Sequence, residues 1–185
     1  MEWVILGLIV AVLLWGVAIY NRLVALRQTV GQSWADIEVQ LKQRHDLIPN
    51  LVETVKGYAA HEGATLEAVI RARNTAVGAH TPDAASAAEG QLSGALSRLF
   101  ALSEAYPDLK ANANFQQLQG ELSATETKIA AARRFFNNAV AEFNAAIQSI
   151  PAVFFAASLG FRQAVFFELD EAERTATRNA PQVKF

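Results

Sequence analysis

The stretch NFQQLQGELSATETKIAAARRFFNNAVAEFNAAIQSIP, residues 114–151, carries the most regular pattern in the chain. Its apolar residues keep a near-heptad spacing, which predicts one amphipathic helix of about 50 Å. Such a stripe packs inside one bundle, against another chain as a coiled coil, or both when helices pack on its two sides, and we favour the bundle. The stripe consists of Phe115, Leu118, Leu122, Ile129, Phe136, Val140, Phe143, Ile147 and Ile150.

A second long apolar run lies at the other end of the chain, in WVILGLIVAVLLWGVAIY, residues 3–20. As a helix it measures about 27 Å, close to the roughly 30 Å of hydrocarbon in a bilayer. A cleaved signal peptide is the alternative, but almost nothing precedes the run and no small-x-small cleavage site follows it. We therefore predict a transmembrane anchor over residues 1–21. Its bilayer residues include Trp3, Leu6, Leu13, Trp15 and Tyr20.

The charges beside this run predict its orientation. Arg22 and Arg27 follow the run, whereas only Glu2 precedes it. The positive-inside tendency then places the N-terminus outside and the rest of the chain in the cytoplasm.

The region from residue 22 to 168 reads as an antiparallel bundle of long helices, so the fold class is all-α. Apolar residues recur at helical spacing from Tyr20 to Pro49, which predicts that the anchor continues into the bundle. Pro49 is expected to break or kink this helix, and a second helix to start near Leu51. Gly78 and the Thr81-Pro82-Asp83 sequence predict the end of that helix and the start of a third. Residues 169–185 form a polar tail.

Composition excludes several classes of function. The 185 residues leave room for one domain after the anchor, and the net charge of −2, with both signs interspersed, gives no basic field for nucleic acid. Cysteine is absent, which excludes disulfides and thiol chemistry. The three histidines are far apart, and no phosphate-binding, dinucleotide or hydrolase motif occurs. We predict no enzyme activity, no cofactor and no metal.

Polar residues beside the apolar stripe form the main candidate site. Glu126, Arg133, Asn137 and Asn144 follow one another at intervals of seven, four and seven residues. A second set surrounds Pro49 and comprises Arg44, Asp46, Asn50 and Glu53. We predict that the two sets form a partly buried polar network that fixes the bundle's register. Ordinary surface pairs are the alternative.

The segment AVFFAASLGF, residues 152–161, is uncharged and too short to span a bilayer. The chain's own helices, a neighbouring subunit or lipid must cover it. We favour protein, and subunit contacts over lipid, because the segment contains no Lys or Arg for adsorption to a membrane. The patch residues are Phe154, Phe155, Leu159 and Phe161.

Two stretches give the chain a family likeness. WADIEVQLKQRHDLIPNLVETVKGYAAHE, residues 34–62, resembles the signature stretch of LemA family proteins. Residues 114–151, with Gly160-Phe161 and Phe166-Phe167-Glu168 after them, are similar to the family's C-terminal pattern. The resemblance implies an N-terminal transmembrane helix and a cytoplasmic helical bundle at a bacterial inner membrane, and it implies no established reaction.

Two functions fit these expectations. Identical subunits could pack laterally into a homo-oligomer that organises or shapes the membrane, and this is the reading we favour. Alternatively, the bundle could serve as an adaptor or sensor for another membrane protein. A hydrolase would need a titratable cluster in a closed cleft, and nothing in the sequence demands one.

Overall fold

Helices account for most of residues 1–168, which are the residues described by the computed structural model. No strand occurs among them, which confirms the all-α class. The predicted tail, 169–185, lies outside the described residues. The elements are α1 (Glu2–Lys56), α2 (Gly63–Val77), α3 (Pro82–Ser103), α4 (Pro107–Lys110), α5 (Ala113–Gln148) and a 3-10 turn at Ala152–Phe154.

Helix α1 joins the apolar N-terminal run to the bundle without interruption. Its 55 residues make a rod of roughly 80 Å. Within residues 1–168 it is the one helix long and apolar enough to cross a bilayer, and none of these residues buries its most apolar window. Leu23 is the first fully buried residue, and Ile19 is partly buried one turn before it. All five predicted bilayer residues, from Trp3 to Tyr20, are exposed.

The prediction of a break at Pro49 is wrong. Helix α1 passes through Pro49 and ends at Lys56, so Leu51 and Val55 belong to α1 instead of to a second helix. Proline leaves one helical carbonyl without its donor, at His45, but Arg73 of α2 donates to that oxygen. The true turn between α1 and α2 follows Lys56.

The other helix boundaries follow the sequence signals closely. Helix α2 ends before Gly78, and α3 begins after Thr81 with Pro82 in its first turn. Helix α5 begins after Asn112, whose side chain accepts a hydrogen bond from the Phe115 backbone N–H at 3.0 Å. The predicted long helix is therefore confirmed.

Helices α1 and α5 pack antiparallel along the length of the bundle, and α2 packs on α3. Apolar residues form three clusters along this axis. Leu23 meets Phe143 nearest the anchor, Ile37 lies with Phe136 in the middle, and Ile48 lies with Phe115 and its neighbours at the far end. The stripe thus serves the chain's own core from Phe115 to Ile147, whereas its last residue, Ile150, is exposed.

Candidate functional site

A buried ion cluster lies where α1 faces α3. Nη1 of Arg44 donates to Oε2 of Glu89 at 3.0 Å, and Nε2 of His45 lies 2.5 Å from Oε1 of the same carboxylate. Since a carboxylate paired with arginine only accepts, His45 is the donor. All three side chains are less than a tenth exposed. Both oxygens of Glu89 are therefore paired, as a charge buried at this depth requires.

The same arginine also contacts a second residue of α3 and one residue of α5. Nη2 of Arg44 donates to Oγ of Ser93 at 2.7 Å. Nη1 of Arg44 lies 3.4 Å from Oε2 of Glu126, whose side chain is 50% exposed. Arg44 thus connects a buried carboxylate on α3 with a half-exposed one on α5.

An open pocket of about 290 Å³ lies beside this cluster, between α3 and α5. Small residues at helical spacing on α3 leave the space, and the Arg44–Glu89 pair forms one wall. Arg133 and Glu126 of α5 form the opposite side. The α3 residues are Ser86, Gly90, Ser93, Gly94 and Ser97. The lining offers both signs of charge and several hydroxyls, which suits recognition of a polar group.

Asp46 and Asn50 lie outside the cluster. Both are exposed on α1, so the prediction of a buried role is wrong for them. Asp46 accepts a hydrogen bond of 2.5 Å from Nζ of Lys42, and this bond lowers the pKa of Asp46. It lines a second pocket, of about 280 Å³, between α1 and α2. A helix carries polar residues on several faces. Proximity to Pro49 in the sequence therefore did not show that Arg44 is buried while Asp46 and Asn50 are exposed.

Asn137 and Asn144 hold the chain that follows α5. Nδ2 of Asn144 donates to the carbonyl of Ala164 at 2.9 Å, and its Oδ1 accepts from the Ala164 N–H at 2.8 Å. Asn137 makes the same pair of bonds with Phe167, both at 3.0 Å. Each asparagine thus forms a two-bond clamp on the backbone of the segment. The seven helical residues from Asn137 to Asn144 and the three extended residues from Ala164 to Phe167 both span about 10 Å, so the spacing of the two clamps matches. The segment runs antiparallel to α5.

Glu89, His45 and Ser93 are site residues that the sequence analysis missed. Glu89 belongs to a helix rich in alanine, serine and glycine that carries no known motif. One signal was present: Glu89 falls at helical spacing with Ala85, Leu92 and Leu96, on the apolar face of α3. A lone charge on an apolar face indicates a buried partner.

The uncharged segment 152–161 divides between core and surface. Ala152, Ala156 and Phe161 are buried against the anchor-proximal part of α1 and the end of α5. Phe161 contacts the Tyr20 ring at a centroid distance of 5.6 Å. The prediction of an intermolecular role is therefore wrong for Phe161, because the chain itself covers it.

The remaining patch residues are less covered. Phe155 is half-buried, whereas Phe154 and Leu159 are exposed. Among residues 1–168, no group of three or more metal-ligating side chains is placed to hold a metal ion.

The fold defines a class of protein, an α-helical bundle continuous with one apolar helix that can enter a membrane. The family model described as LemA family matches residues 33–185, and the chain belongs to the LemA family. This confirms the resemblance carried by residues 34–62 and 114–151.

Two relatives illustrate the similarity. Magnetosome protein MamQ of Magnetospirillum gryphiswaldense is 24% identical over 176 residues, covering 80% of this chain and 64% of the relative. Protein LemA of Metamycoplasma hominis is 27% identical over 158 residues, which cover 83% of this chain and 71% of the relative. The chain thus spans slightly less than two thirds of the magnetosome relative's length. These similarities support a membrane-associated helical protein.

Proposed function

We propose that this protein is a membrane-anchored scaffold that acts by self-association and not by catalysis. Its N-terminus lies outside, α1 crosses the inner membrane of a bacterium, and the bundle is cytoplasmic. Identical subunits associate through their long helices and thereby organise or shape the membrane. The observation that carries this proposal is the continuity of α1 from Glu2 to Lys56.

Continuity matters because α1 belongs to the membrane and to the bundle at once. From Leu23 onward it packs lengthwise on α5, so the direction of the anchor is set by the bundle. Subunits that associate side by side must then align their membrane helices. An array of aligned anchors can impose order on the lipid around it.

Exposed apolar side chains on the two longest helices supply surfaces for association. Val39 of α1 is 62% exposed and Phe135 of α5 is 57% exposed. Large apolar groups outside the core favour contact with another surface. The similarity to proteins named as magnetosome proteins also supports a membrane role.

The mass and shape of the detergent-extracted full chain test the association. We expect large homomeric particles with the anchors gathered on one side, seen by mass photometry and electron microscopy. Replacing Val39 and Phe135 together by serine should lower the particle mass, whereas Ala141→Ser, at an exposed site on α5, should not. Monomers of the unaltered chain would refute the proposal.

The orientation has its own test, since the chain contains no cysteine. Single cysteines at Glu2 and at Ala141 can be treated with a membrane-impermeant thiol reagent. We expect Glu2→Cys to react in intact spheroplasts and Ala141→Cys to react only after lysis. The opposite pattern would reverse the orientation.

The pocket between α3 and α5 favours a second candidate, an adaptor or sensor that presents the bundle to another membrane protein. Its mixed charges suit a polar segment of such a partner. Gly94 lines the pocket, and a Cβ added there meets nothing within 4 Å. Gly94→Gln should therefore release a stoichiometric partner without unfolding the chain. Gly120→Gln, at an equally open site on α5, is the matched control.

A further inference from the structure

Large apolar side chains are exposed on the loop that closes the anchor-proximal end of the bundle. Residues 149–160 form this basal loop. Ile150 and Phe154 are each 79% exposed, and Val153 and Leu159 are about half exposed. Such a cluster in water is unfavourable, so a covering surface is expected.

The basal loop lies beside the membrane helix. Ile150 and Pro151 line one cleft together with Trp15, Ile19 and Arg22 of α1. Trp15 precedes Tyr20 by about 7.5 Å along the helix axis. The lowest part of the loop therefore reaches the level of the last turn and a half of the apolar run.

The loop is attached rigidly at this level. Ala152, Ala156 and Phe161 are buried against Leu23 and against residues at the end of α5. The rings of Phe161 and Tyr20 are in edge-to-face contact, which fixes the end of the loop near the end of the apolar run. When α1 enters a bilayer, the loop must go to a definite depth with it.

Arginines surround the loop although its own sequence has none. The guanidinium of Arg27 lies 5.1 Å from the centroid of the Phe161 ring. Arg22 lines the cleft that contains Ile150, and Arg162 directly follows the buried Phe161 and is exposed. Arg22 and Arg27 follow the apolar run of α1 on its bundle side, so in an anchored chain they lie near the level of the lipid phosphates.

We propose that the basal loop inserts into the leaflet on the bundle side of the membrane. Ile150, Val153, Phe154 and Leu159 contact acyl chains, and the arginines bind anionic headgroups. Amphipathic elements that lie on a membrane enter it by about 5–10 Å, which agrees with the depth given by α1. The inference rests on the proposed anchoring by α1. It gives each subunit a second, lateral contact with lipid that limits its tilt.

Lipid is favoured over a second copy because the exposed Ile150 lies beside Trp15 and Ile19 of the apolar run, which places the loop at the level of the anchor. The absence of cations from residues 152–161 by itself favours subunit contacts over lipid. The fold removes that objection, since α1 brings Arg22 and Arg27 to the loop.

Depth-dependent fluorescence quenching tests the insertion on the full chain. Single cysteines replace Phe154, Leu13 in the anchor and Ala105 at the far end of the bundle, and each carries a nitrobenzoxadiazole label. The labelled chains are reconstituted in vesicles of phosphatidylcholine and phosphatidylglycerol with lipids spin-labelled at shallow or deep positions. We expect shallow quenchers to reduce the Phe154→Cys signal at least twofold more than the Ala105→Cys signal.

The three labels separate the possible failures. If the Leu13→Cys label is quenched but the Phe154→Cys label is quenched no more than the Ala105→Cys label, the anchor is in the membrane and the loop is not. This result would overturn the insertion and leave the anchoring intact. A blue-shifted Phe154→Cys label that no spin-labelled lipid quenches would indicate cover by a second copy and also overturn it. Absence of quenching at Leu13→Cys would overturn the anchoring itself.

Discussion

The Nε atom of Arg73 donates a hydrogen bond of 2.9 Å to the carbonyl oxygen of His45. In an uninterrupted α-helix, the N–H of residue 49 would occupy that oxygen, and Pro49 has no N–H. A side chain of α2 thus supplies the bond missing from α1. The same bond ties the two helices together beside the ion cluster.

Removing this bond should destabilise the bundle in a way that depends on Pro49. Arg73→Met leaves the His45 oxygen without its donor and should cost about 1–3 kcal/mol of unfolding free energy. In a Pro49→Ala background the new N–H takes the oxygen, so the cost of Arg73→Met should fall. Denaturation of the four chains in detergent gives the coupling energy, which we expect to be about 1 kcal/mol. Strictly additive effects would mean that the bond does not compensate for the proline.

Neutralising the buried Glu89 should lower the free energy of unfolding more than neutralising the half-exposed Glu126. Glu89→Gln leaves Arg44 buried without its main counter-charge and should cost about 3–5 kcal/mol. Glu126→Gln, at a side chain 50% exposed, should cost no more than about 1 kcal/mol. Thermal or chemical unfolding measures both. Equal losses would contradict the assigned roles.

The hydrogen bonds from Asn137 and Asn144 should protect backbone amides of the segment after α5 from hydrogen exchange. Asn144→Ala removes both bonds to Ala164, and we expect the Ala164 amide to exchange with deuterium about tenfold faster. Asn137→Ala should act in the same way on Phe167. Asn138, next to one clamp but exposed, supplies the control variant Asn138→Ala. Unchanged exchange in the clamp variants would show that other contacts hold the segment.

The Lys42–Asp46 pair predicts a local pH dependence. The hydrogen bond from Lys42 holds the pKa of Asp46 below its ordinary value of 3.8. A carboxyl group with a lowered folded pKa contributes stability above its unfolded pKa and loses it as the pH falls through the folded value. Lys42→Met should raise the pKa of Asp46 in a carboxyl NMR titration. Lys56→Met is the control, and an Asp46 pKa that stays low in Lys42→Met would argue against the hydrogen bond as its cause.

Local sequence patterns were sufficient for the two longest apolar helical segments and for the boundary between α2 and α3. The apolar run over residues 3–20 and the stripe in residues 114–151 predict a free apolar helix and a long core helix, because helical periodicity is visible within one segment. Gly78 and Thr81-Pro82-Asp83 predict a boundary for the same reason. These signals depend only on residues within a few positions of one another.

Pro49 shows where local reasoning fails. A proline predicts a helix break when its freed carbonyl has no other donor. Whether Arg73 reaches that carbonyl depends on how α2 packs against α1. The tertiary structure therefore decided the length of α1.

The site itself depends on the same kind of information. Sequence alone identified Arg44 as a candidate, but only packing placed Glu89 of α3 against it and left Asp46 in solvent. At the other end, packing joined an uncharged loop to the arginines of α1. The sequence determined which segments are helical, because propensity and periodicity are local. The tertiary structure determined which charges are buried and which apolar side chains remain exposed, because both depend on neighbours that are distant along the chain.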